Sequence, residues 1–262
     1  MPDQLLYDLK TDRHVFNCRL HNRTNNINGR CNDGLPFLFH VIDQHDNISL
    51  IRRLFDYELN VNVISKDGIS PIIYCLKHTV PNVLNVLKIL LDAGARTSDI
   101  CYNDRSVLYY AVLLNNIQVI ELLFCYDVAK YISHENNDKE TPLMLAIGKK
   151  NYEIVKLLLN NGAKENINHQ NKNGDTALIL AAKNDCYNIA TLLLDNGADQ
   201  TIENNKGYTA LLVSPNPKMT KLFSSLSNDD MYLKLMIKYE NLDHKLDNLI
   251  EKIDRLCLHL MT

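Results

Sequence analysis

The sequence predicts an all-α stack of about five to six short helix–turn–helix units with short hairpin loops, followed by a long C-terminal amphipathic helix. Three observations predict it. First, a phrase recurs: Thr141-Pro142-Leu143-Met144-Leu145-Ala146, then Thr176-Ala177-Leu178-Ile179-Leu180-Ala181-Ala182, then Thr209-Ala210-Leu211-Leu212. Second, the first two copies are each followed at the same offset by an aliphatic block and a Gly-Ala pair, Leu157-Leu158-Leu159 with Gly162-Ala163 and Leu192-Leu193-Leu194 with Gly197-Ala198. The starts lie 35 residues (Thr141 to Thr176) and 33 residues (Thr176 to Thr209) apart. A period in the low thirties built from two short apolar helices marks units that bury their apolar faces only against neighbours. Third, an apolar seam at alternating steps of three and four runs through the last residues.

In chain order, residues 1–29 carry no repeat signature and read as an N-terminal extension or cap. Unit 30–63 holds Asp33-Gly34-Leu35-Pro36-Phe37-Leu38-Phe39, and unit 65–98 holds Asp67-Gly68-Ile69-Ser70-Pro71 followed by Lys88-Ile89-Leu90-Leu91. Unit 101–133 is degenerate, units 136–168 and 171–201 are clear copies, and unit 204–225 is shortened by Pro215-Asn216-Pro217 as a capping repeat. Ser70, Ser106, Thr141, Thr176 and Thr209 stand where a helix begins. There a hydroxyl accepts from an orphan N–H, and a following proline sacrifices no donor. The hairpin glycine seen at Gly174 is replaced by Asp104 and Lys139 in two units, and the helix-ending glycine by Asp127. A side chain in the left-handed region is costly. Cys101 to Val128 and the junction Asn136 to Glu140 are therefore expected to be the least regular part.

Residues 226–262 form a separate segment. Tyr232, Leu235, Tyr239, Leu242, Leu246, Leu249, Ile253, Leu256 and Leu260 follow an a/d heptad pattern, with Lys238, Lys245 and Lys252 at g. This is read as a coiled coil that makes a homo-oligomer through Leu242, Leu246, Leu249, Ile253 and Leu256. The alternative is one helix packed back on the last repeat.

The units resemble ankyrin repeats, whose pattern runs Asp-x-x-Gly-x-Thr-Pro-Leu-His-x-Ala-Ala, then Leu-Leu-Leu-x-x-Gly-Ala. The resemblance covers roughly Arg30 to Ser225. It implies a non-enzymatic module that binds a protein partner in the concave groove lined by hairpin tips and inner helices. Mapped onto this chain, the groove positions include Tyr102, Arg105, Leu113, Leu114, Glu140, Lys149, Lys172, Asp175, Lys183 and Tyr208. Tyr102, Leu113 and Leu114 beside Arg105 form the kind of cluster that anchors interfaces. The competing expectation is that this irregular unit turns them inward. The family includes proteins that intracellular bacteria and large DNA viruses direct at host pathways. A composition rich in Asn, Ile, Lys and Tyr and without Trp, common in AT-rich genomes, fits a host-directed adaptor.

Composition excludes more than it selects. A net charge of −3 from 28 basic and 31 acidic residues gives no nucleic-acid footprint. No apolar run is long enough for a signal peptide or a membrane span. Seven cysteines, an odd number without a Cys-x-x-Cys, fit reduced thiols in the cytoplasm, with the nucleus or a host cytosol also open. The nine glycines are nearly all absorbed by the repeats, so none is left for a phosphate loop or nucleophile elbow. His14, Cys18, His21 and Cys31 bring metal-ligand types at a spacing that matches no zinc module. No catalytic, cofactor or metal site is expected. A structural scaffold driven by the coiled coil, or a metal-dependent enzyme, are the alternatives to a binding module.

Overall fold

The computed structural model describes residues 27–225 except 32–33, 45–46, 57, 79, 99 and 102–103. The N-terminal extension to residue 26, Tyr102 and the whole heptad segment, including Leu242, Leu246, Leu249, Ile253 and Leu256, lie outside the described residues. Among the described residues the helices form six successive pairs. They are α1 (Phe37–Ile42) with α2 (Asn47–Phe55), α3 (Pro71–Lys77) with α4 (Val83–Asp92), and α5 (Val107–Leu114) with α6 (Ile117–Phe124). Next come α7 (Pro142–Gly148) with α8 (Tyr152–Asn160), α9 (Ala177–Lys183) with α10 (Tyr187–Asp195), and α11 (Ala210–Val213) with α12 (Pro217–Ser225). The odd-numbered inner helices pack on one another along the stack. Among the outer helices, α2, α4 and α6 pack in succession, as do α8, α10 and α12.

Local chemistry explains the helix starts. Ser70, Ser106, Thr141 and Thr176 each accept from the N–H three residues on, at 3.5, 3.2, 3.3 and 3.2 Å. Outer helices use asparagine: Asn116 accepts from Gln118 and Val119, and Asn151 from Ile154. Four starts depart from the pattern, Pro36 before α1 and Cys186 before α10 among them, neither of which makes a side-chain cap bond. Thr209 makes no side-chain cap bond, and α4 begins at Val83, after Pro81 and a left-handed Asn82.

One continuous apolar cluster runs from Cys31 to Phe223 and includes the fully buried Leu158 and Leu193. This is the one-dimensional core that a stack of unit-by-unit burial requires. The third unit is irregular as expected. Its hairpin is closed by a two-residue antiparallel ladder, β1 (Ile100–Cys101) with β2 (Arg105–Ser106), whereas the 3-10 turn after its outer helix, Val128–Tyr131, recurs in the next unit at Ala163–Asn166. Asp104, Asp127 and Lys139 all take positive φ, at 53°, 60° and 55°, where most other units place glycine; the first unit likewise ends its outer helix at Glu58, φ 58°. Asn115, Lys150 and Asp185, between inner and outer helices, also do so, at 57°, 56° and 56°.

Candidate functional site

The mapped groove positions fall on the hairpin tips and the ends of the inner helices. What holds the tips is a buried amide that the sequence reading missed. Asn136, Asn171 and Asn204 are 6%, 8% and 7% exposed and precede Thr141, Thr176 and Thr209, the residues before the inner helices, by five residues. Each Oδ1 accepts two backbone N–H groups across its own hairpin. The donors are Asp138 and Glu140 (2.8 and 2.9 Å), Asn173 and Asp175 (2.9 and 3.0 Å), and Lys206 and Tyr208 (3.0 and 3.1 Å). Ser65 does part of this work in the second unit, accepting from Ile69 at 3.0 Å. In the third unit the position is Cys101, which brings no amide oxygen, and the backbone ladder closes the turn instead. The recurrence of asparagine at one offset was the signal available in the sequence. Side-chain-to-backbone bonding of this kind is how Asn organises turns.

The mapped residues divide into two groups. Lys149, Lys172 and Lys183 are exposed, Tyr208 is 41% exposed and Leu113 is 37% exposed. Lys172 pairs with Asp138 at 3.3 Å, a solvated contact of little energetic weight. Others make contacts within the array. Asp175 is only 2% exposed. Its oxygens take Lys183 Nζ at 2.7 and 2.6 Å and Asn204 Nδ2 at 2.8 Å, so it ties its own inner helix to the next hairpin. A carboxylate taken out of water needs such partners. Lys183 is thereby committed to the same pair.

Glu140 acts in the opposite direction along the stack. It is half-buried and accepts from Tyr109 Oη of the preceding unit at 3.3 Å and from Asn136 Nδ2 at 3.1 Å. Burial first, and the Glu140 carboxylate next, hold the Tyr109 phenol above its ordinary value. Arg105 is half-buried with its guanidinium 5.4 Å from the Tyr109 ring centroid, and its Nε has no hydrogen-bond partner among the described residues. Leu114 is half-buried against the core, leaving Leu113 as the exposed leucine of the pair. The hairpin following α4 brings no described tyrosine to join it, since Tyr102 lies outside the described residues. No group of three or more His, Cys, Asp or Glu able to hold a metal occurs among the described residues. No helix there is long and apolar enough to cross a membrane.

A stack of helix pairs with stapled hairpins along one edge defines a repeat scaffold whose usual business is binding. A family model described as ankyrin repeats, three copies, matches residues 38–134 and 126–204. The chain belongs to the ankyrin-repeat family. It is 23% identical to human inversin over 95 residues, and equally to dog inversin; the match covers 35% of this chain and 9% of either relative. The chain therefore spans only a small fraction of those proteins. In solved structures, the ankyrin repeat domain of Bcl-3, titled a unique member of the IkappaB protein family, superposes with a TM-score of 0.66 at 19% identity. That likeness covers 85% of this chain and 91% of that one, and it concerns the fold alone. Ankyrin arrays are protein-interaction modules and are generally not enzymes.

Proposed function

We propose that this chain is an adaptor that binds a protein partner along its concave face, with Leu113 and Tyr208 as apolar contacts among Lys149, Lys172 and the hairpin tips. The observation that carries this reading is the contrast between the tips and their supports. Ser65, Asn136, Asn171 and Asn204 beneath four of the tips are buried and hydrogen-bonded, while Leu113 and Tyr208 stay exposed at 37% and 41%. A preorganised edge with exposed apolar side chains loses little entropy on binding. The AT-biased composition supports a host-directed adaptor of an intracellular pathogen or large virus, working in a reducing compartment such as the cytoplasm. Affinity capture with the full chain tests it. Leu113→Asp with Tyr208→Asp should lose the proteins that wild type retains, and Lys156→Asp on the outer helix α8 should keep them. Equal capture by all three would refute the groove assignment.

A second reading, self-association, is favoured by one sequence observation: the nine seam positions from Tyr232 to Leu260 continue for about four heptads without a break. In this reading the array sets partner choice and the seam sets valency. Light scattering on the full chain should give more than one chain per particle, and Leu246→Glu with Leu249→Glu should give a monomer.

A further inference from the structure

From Asp104 onward the array separates its charges by layer. The hairpins, the inner helices and the turns that leave them (residues 104–116, 136–151, 171–186 and 204–213) carry seven Lys or Arg and five Asp or Glu. The outer helices α6, α8 and α10 with the connections that leave them (117–135, 152–170 and 187–203) carry three and eight. Three acids of the inner layer are already engaged within the array. Asp138 pairs with Lys172, buried Asp175 takes Lys183 and Asn204, and half-buried Glu140 takes Tyr109 and Asn136. Lys139, Lys149, Lys150 and Lys206 are exposed and form no ion pair among the described residues. Two of these lysines also stand where a side chain is costly. Lys139 takes φ 55° at the hairpin place that Gly174 and Gly207 fill in the next two units, and Lys150 takes φ 56° between α7 and α8. Backbone strain kept under an ammonium group that pairs with nothing in the array points to a role outside the chain.

Resting on the groove reading above, we propose that the protein partner is bound through an acidic segment, a stretch rich in Asp and Glu that also presents an apolar side chain. Its carboxylates meet Lys139, Lys149, Lys150 and Lys206, and its apolar side chain meets Leu113 or Tyr208. Charge complementarity selects this occupant, since an acidic chain finds unneutralised lysines on the inner layer and a surplus of like charge on the outer one. The hairpins that carry Lys139 and Lys206 belong to one edge. Lys172 N donates to Asp138 O at 3.0 Å, Asn205 N to Asn173 O at 3.0 Å and Asn205 Nδ2 to Lys172 O at 2.8 Å, which knits three successive tips together. Exposed Asp104, Asp138 and Asp185 interrupt the lysines. A nucleic-acid backbone, charged at every step, would meet them as like charges. A peptide can set neutral residues there.

Fluorescence anisotropy of the full chain with a labelled random copolymer of glutamate and tyrosine tests the assignment. Wild type should bind it at low ionic strength and release it as salt is raised. Lys139→Glu with Lys149→Glu should weaken binding by about tenfold. Lys156→Glu with Lys164→Glu, the same charge change on the outer layer, should leave it unchanged. Lys139→Gly with Lys149→Gln removes both charges while relieving the turn, so a loss of about threefold there separates lost charge from lost fold. No binding by wild type, or equal binding by the two glutamate variants, would overturn the proposal. Tighter binding of an oligothymidylate than of the copolymer would assign the lysines to nucleic acid and overturn it equally. Affinity capture with the Leu113 and Tyr208 variants reads the apolar contacts and not these lysines. A groove that holds its partner by apolar contacts alone would therefore pass that experiment and fail this one.

Discussion

His169 Nε2 lies 2.9 Å from the carbonyl oxygen of Lys139, one unit earlier in the stack. His134 does the same one unit before, 2.8 Å from the carbonyl of Asp104. A carbonyl only accepts, so each ring donates from Nε2. The two recipients are the hairpin positions where a side-chain-bearing residue stands at positive φ in place of glycine. The Gly174 carbonyl is held instead from within its own hairpin, by Gln170 Nε2 at 2.7 Å. The two strained turns are thus the ones clamped by an imidazole from the following unit.

Relieving that strain should stabilise the array. Lys139→Gly is expected to raise stability by about 0.5–1 kcal/mol, because glycine enters the left-handed region without a Cβ clash but loses more chain entropy. His169→Ala should lower it by about 0.5–1.5 kcal/mol through the lost hydrogen bond. Urea denaturation reads both as midpoint shifts at constant slope. A neutral Lys139→Gly would show that the turn carries no strain.

Gly174 should resist the opposite change. Its φ is +74°, and a Cβ there would meet Asn205 Oδ1 at 2.5 Å and Asn205 N at 2.6 Å, the second an immobile backbone atom. Gly68 shares the φ of +74° but has nothing within 4 Å. Gly174→Ala is therefore expected to cost more than Gly68→Ala, by about 1–3 kcal/mol of overpacking. Equal losses in thermal or urea unfolding would show that the hairpin yields freely.

The hairpin staple makes a chemical prediction at Asn171. Asn171→Ala strands the backbone N–H groups of Asn173 and the buried Asp175 and should cost about 1–3 kcal/mol. Asn171→Asp keeps an accepting oxygen in place and should retain most of the stability. If both variants lose the same amount, the role of Asn171 is its volume and not its acceptor.

Tyr109 should give the array an alkaline weakness. Its phenol is raised by burial first and Glu140 next, so the folded state holds the proton more tightly than the unfolded chain. That contribution is full below the ordinary tyrosine value of about 10 and is lost as pH rises through the higher folded value. Wild type should therefore lose stability above about pH 10 more steeply than Tyr109→Phe. Parallel pH profiles of the two proteins would remove this role from Tyr109.

The stacked fold was legible because its causes are local and repeated. Capping hydroxyls at Ser70, Ser106, Thr141 and Thr176, aliphatic blocks such as Leu157-Leu158-Leu159, and left-handed turn positions recur at one period and act within a few residues of chain. The same locality exposed Asp104, Asp127 and Lys139 as misfits, and all three take positive φ. What tertiary structure alone decided was the direction in which polar side chains point. Asp175 and Glu140 occupy one equivalent position just before the inner helix. One is bound by the next unit's Asn204 and the other by the preceding unit's Tyr109. Partners some 30 residues away cancel the cost of removing a carboxylate from water, and no reading of one unit contains them. Leu113 and Leu114 are equally apolar neighbours, and only packing against the core chose which would face solvent.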